Sequence, residues 1–258
     1  MKRAIIALAI GVLLAAVVLA QKPMKPWKEW NRKEAEKVFN DSAWSHTQTE
    51  TMAAQSAEVT SNFGDTRGRE DAVRNVSGTP TVTLVVRLFT ARPIRQAYVR
   101  MLELNETPPE AANLEKMEAW ANLAADDRII VALSYAGDQR GLARIAGLLR
   151  TVNAADLKTA VFLERGDGKR LALTDYTPPA RDAFGARFTF PRTLDGQPFL
   201  SAESGVLRFH AEVSPKAPDA SLQQSIARNP ATREDPYKLK LDVKFKTGDM
   251  MYGSALEY

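Results

Sequence analysis

The sequence predicts an α+β fold: mostly antiparallel β-sheet, with a cluster of three helices and a short peripheral N-terminal helix. Three observations predict it. Helical spacing of apolar residues is concentrated in the middle of the chain, between a strand-like run after Pro80 and a glycine-bearing hairpin around Gly166. Period-two alternation dominates beyond that hairpin. Hydrophobic residues are 45% and charged residues 26%, enough apolar material for a real core. Helices gathered in one stretch and strands in another argue against a regular βαβ repeat.

The first residues carry an address rather than a fold. Lys2 and Arg3 precede an uncharged apolar run, Ala4 to Ala20, which closes on Val18-Leu19-Ala20. Positive start, apolar stretch and small-residue site form the pattern of a secretory signal peptide, cut between Ala20 and Gln21. Residues 1–20 are therefore expected to be removed and the protein to be exported, periplasmic or secreted. An uncleaved anchor is the alternative and would be the chain's membrane contact; spanning takes about 20 apolar residues, and this run is slightly short.

Residues 21–45 form a tryptophan-rich helical segment. Trp27, Trp30 and Trp44 are three of the four tryptophans. Asn31, three before Glu34, reads as a capping box opening a helix over about 31–40, with Asn40-Asp41-Ser42 as its stop. Residues 46–79 read as a polar, flexible loop with an edge strand near 45–52. The α+β core domain spans 80–258. Thr81 to Phe89 is its first strand. Pro93 opens a helix carrying Ile94, Ala97, Tyr98 and Met101. Thr107 as N-cap, Pro108 at the first position and Glu110 closing a capping box open the next, which runs to about Ala125.

Arg128 to Tyr135 is a buried strand, and Leu142 to Leu149 a third helix. Gly166-Asp167-Gly168 turns a hairpin. Ala186 to Phe190, Leu207 to Val213 and Tyr237 to Phe245 alternate as half-buried strands. The last of these sets Lys238, Lys240, Lys244 and Lys246 on its polar face. A split near 176–182, at Pro178-Pro179, is the alternative domain boundary. Ser214 to Pro236 reads as a polar loop, with a helical turn near Leu222 to Ile226.

Several function classes are excluded. The chain has no cysteine, so disulfides, thiolate nucleophiles and sulfur-ligated zinc are out. An exported domain without disulfides suits a bacterial envelope. The net charge of +4 drops to +2 once Lys2 and Arg3 are set aside, so no bulk field draws the protein to nucleic acid. The two histidines, His46 and His210, have no metal-ligand spacing. No cofactor motif and no metal site is expected.

The candidate binding residues are Trp27, Trp30, Trp44 and His46. Indole faces stack on sugars or peptides, although the same rings also serve to dock the N-terminal helix. The lysine face suits an anionic polymer, although it equally protects an exposed strand from edge pairing. His210, on the polar face of its strand, reads as an exposed surface residue.

Trp30-x-x-x-Glu34-Ala35-x-x-Val38-x-Asn40-Asp41-Ser42-x-Trp44, together with the ending Phe245-Lys246-x-x-Asp249-Met250-x-Tyr252 and Leu256-Glu257-Tyr258, resembles a group of functionally uncharacterised exported bacterial proteins. The resemblance implies a bacterial host and an extracytoplasmic location, and brings no catalytic residue with it. The expected function is thus a non-catalytic envelope protein that binds a partner or polymer. The rival is an exported hydrolase using Asp41, His46 or Glu50, because acid pairs leave no sequence signature.

Overall fold

The computed structural model describes residues 24–51, 81–124, 127–180, 182, 184–214 and 238–258. The expected signal peptide with its Ala20–Gln21 cut, and the stretches 52–80 and 215–237, lie outside the described residues. Among the described residues no helix is long and apolar enough to cross a membrane.

Five α-helices are described: α1 (Arg32–Asn40), α2 (Arg92–Glu103), α3 (Ala111–Asn122), α4 (Gln139–Thr151) and α5 (Ala154–Leu157). Two antiparallel sheets carry the body. One runs β1-β2-β3-β7-β6, with β1 Ser45–Thr51, β2 Thr81–Leu88, β3 Arg128–Gly137, β6 Asp175–Thr177 and β7 Ala186–Pro191. The other runs β11-β10-β4-β5, with β4 Val161–Arg165, β5 Arg170–Ala172, β10 Val206–Val213 and β11 Leu239–Lys246. Two-residue strands β8 (Thr193–Leu194) with β9 (Gln197–Pro198), and β12 (Met251–Tyr252) with β13 (Ala255–Leu256), form small hairpins. The α+β, antiparallel architecture predicted above is therefore the one observed.

Alternation makes the core. Val82, Leu84, Val86 and Leu88 share one face of β2 and are fully buried, because side chains two apart on a strand point the same way. Register sets Val86 opposite Leu133 and Val131 opposite Phe188. The ring of Phe209 on β10 lies 5.4 Å from Phe188 and 6.3 Å from Phe190, so the two sheets pack through these faces. Each such side chain contributes about 1.5–3 kcal/mol on burial. The opposite face of the five-stranded sheet lies under the C-terminal end of α1, and α2 and α3 pack outward from α1 in turn.

Two details differ from the sequence reading, the start of α3 and the burial of His210. Helix α1 is the short N-terminal helix expected, packed onto the body by one stripe with Ala35 and Phe39 buried. Its Asn31–Glu34 capping box is present. Strand β1, at the edge of its sheet, is the edge strand expected near 45–52. Helix α3 begins at Ala111 with Glu110 as N-cap, not at Pro108, since Pro109 forces its predecessor out of the helical region. His210 is half-buried, at 18% side-chain exposure, because Phe162 of the neighbouring strand stacks on it. As for the alternative boundary near 176–182, that stretch joins β6 and β7, neighbours in one sheet.

Candidate functional site

Arg87 is the penultimate residue of β2, on the face opposite Val86. Its neighbours by register are Ser45 and Ala132. Alternation alone would send it to water, but α1 closes over it and leaves it 3% exposed. Its Nε donates to the Phe39 carbonyl at 2.6 Å and its Nη2 to Asn40 Oδ1 at 2.8 Å. Nη1 donates to Ser134 Oγ. The guanidinium also lies 3.9 Å over the Phe39 ring. These acceptors are all neutral. Among the described residues no carboxylate pairs with Arg87, and burial pushes its pKa down to about 10. The group stays charged at neutral pH in a site that disfavours charge. Three acceptors take three of the five N–H donors a guanidinium carries.

Arg87 lines a cavity of about 410 Å³, within the range of small-ligand sites. Asn40, Val85, Ser134, Tyr135, Ala180, Asp182 and Gly185 complete its wall together with Ala136. The 182–185 turn is set by two devices. Asp182 Oδ1 accepts from the Phe184 and Gly185 amides at 3.0 and 3.1 Å, and its Oδ2 accepts from Arg187 at 2.9 Å. Gly185 has φ +69°, and a Cβ there would sit 2.2 Å from the Leu133 carbonyl oxygen. Only glycine lets this turn approach β3 so closely.

An aromatic cluster continues from Phe39, the ring under the Arg87 guanidinium. Phe184 meets both Tyr98 and Phe89 at 4.5 Å, and Phe39 stacks on Tyr98 at 6.0 Å. Burial, followed by the Asp182 charge, raises the Tyr98 phenol above its ordinary value. Arg87 and Asn40 reach the cavity wall from β2 and α1, and three neutral acceptors hold the guanidinium fork in place.

The arrangement suits binding rather than proton transfer. A planar fork in a dry wall matches a carboxylate or phosphate in two-point contact. The Ser134 hydroxyl has an arginine as neighbour, and a guanidinium cannot serve as a general base.

The residues singled out from sequence lie elsewhere. Trp27, Trp30 and Trp44 are 9%, 2% and 2% exposed, their rings turned inward. Trp30 Nε1 donates to the Lys25 carbonyl at 3.0 Å and Trp44 Nε1 to the Glu257 carbonyl at 2.9 Å. His46 is half-buried on β1, with Phe245 of the other sheet 5.0 Å from its ring. Burial lowers its pKa, opposed by the Asp41 charge and a hydrogen bond to the Lys244 backbone. Asp41 is exposed at the end of α1; the Glu50 side chain lies outside the described part. The cavity wall includes none of the four predicted binding residues. Among the described residues no cluster of His, Asp and Glu could hold a metal ion.

No family model, no curated protein and no solved structure matches the chain.

Proposed function

We propose that this is an exported, non-catalytic cell-envelope protein that binds a small carboxylate- or phosphate-bearing ligand in the Arg87 cavity. The positive start, apolar run and small-residue site at residues 2–20 support export. One observation carries the binding reading: a charged side chain, 3% exposed, has no acidic partner among the described residues and faces an open volume. Burying a charge costs several kcal/mol unless a counter-charge offsets it, so the missing anion is the ligand's part of the site. Arginine is the residue for that task, because its fork reads the two oxygens of an acid as a pair.

The test is a thermal-shift screen of small carboxylates and phosphates on the mature protein and on Arg87→Lys. A fitting anion raises the unfolding midpoint; at 100 times its Kd the stabilisation is about 2.7 kcal/mol. Arg87→Lys keeps the charge but loses the fork, and its response drops at least tenfold in Kd. If no anion shifts the wild type, or Lys serves as well as Arg, the reading fails and Arg87 is a clamp for α1.

A further inference from the structure

The outer face of the four-stranded sheet carries chemistry that the cavity does not use. Its acids are already matched. Glu164 receives Arg170 Nε at 2.6 Å and Arg208 Nη1 at 3.4 Å. Asp242 pairs with Arg208, and Glu212 with Lys238. Lys240, Lys244 and Lys246 are exposed and, among the described residues, have no carboxylate partner. They alternate with buried residues along β11 and so stand on one face. Lys240 and Lys244 stand four residues apart, with the Arg208-paired Asp242 between them, and Lys246 two further on, so at about 3.4 Å per residue the three charges span about 20 Å. The same face bears a half-buried Phe162, with His210 stacked 4.7 Å away at 23° and Arg170 4.2 Å above the ring.

Lysines on an edge strand deter pairing with other chains. That need does not explain an aromatic ring held between a histidine and an arginine on the open side of a sheet. The unpaired charges also form a row on one strand rather than a two-dimensional field, and among the described residues nothing encloses them. A row matches a chain of repeating anions better than a compact ligand or a bilayer. We infer that the outer face of β11-β10-β4-β5 docks a linear phosphodiester polymer, laid along β11 with Lys240, Lys244 and Lys246 on its phosphates. The Arg170–Phe162–His210 stack meets the less polar parts of the polymer. This surface is independent of the Arg87 cavity.

The experiment titrates the mature protein with poly(glycerol phosphate) and, separately, with vesicles of anionic phospholipid. Polymer binding should weaken about twentyfold between roughly 50 and 200 mM salt, the change expected when three single-strand phosphates are neutralised. The triple variant Lys240→Gln, Lys244→Gln, Lys246→Gln should lose it while keeping the wild-type unfolding midpoint. The corresponding triple Lys→Arg variant should keep it, and so should Arg87→Lys. Absence of polymer binding at low salt overturns the proposal. So does equal binding by the Gln variant, or binding to vesicles with none to the polymer.

Discussion

Arg87 and Arg208 are both strand arginines, one in each sheet, and the protein treats them in opposite ways. Arg208 keeps 36% of its side chain exposed and holds two carboxylates, which raise its pKa, the bond to Asp242 foremost. Arg87 is sealed under α1 with only neutral acceptors, and burial lowers its pKa. Water already satisfies an exposed guanidinium, so the ion pairs of Arg208 add little. A buried one needs a counter-charge far more, and there the fold omits it. The difference teaches why the binding proposal rests on the costly charge and not on the well-paired one.

Removing each feature in turn breaks or sharpens that contrast. Arg87→Ala should have the largest effect. It leaves the buried Phe39 carbonyl without its guanidinium donor, at about 1–3 kcal/mol for an unsatisfied group, visible as a lower denaturation midpoint. Gly185→Ala comes next: a left-handed φ and a blocked Cβ should cost about 1–3 kcal/mol and weaken ligand response by moving the cavity wall. Arg208→Ala should leave the unfolding midpoint within error; a loss comparable to that of Arg87→Ala would erase the distinction.

The smallest effect is on pH. Burial lowers His46 and His210 below the ordinary 6.5, so below that value the unfolded chain binds more protons than the folded one. Stability should then fall as pH drops through 6.5 toward the folded values, and level off below them. His46→Gln should flatten that slope, as measured by chemical denaturation at a series of pH values.

Much of the fold could be read in advance where the signal is local. The alternation of β10 and β11, the Asn31–Glu34 box and the turn of the β4–β5 hairpin each depend on residues close in sequence. The candidate site could not be read this way. In Thr81 to Phe89, Arg87 looks like the solvent-side charge of a half-buried strand. What buries it is Phe39 and Asn40, 48 and 47 residues earlier. His210 was misread for the same reason, since Phe162 reaches it only through the pairing of β4 with β10. The tryptophans drew notice as a cluster, yet the partner of the Trp44 indole stands near the far end of the sequence.

That last contact sets a clock. The Trp44 N–H and the Glu257 carbonyl are 213 residues apart, and a ribosome adding about 5–20 residues per second needs roughly 10–40 s to cover that distance. Throughout this interval the indole has been made but its acceptor has not. The Trp44 side of the core is therefore closed only after Glu257 has been made, and until then the nascent chain stays open there to proteases and chaperones.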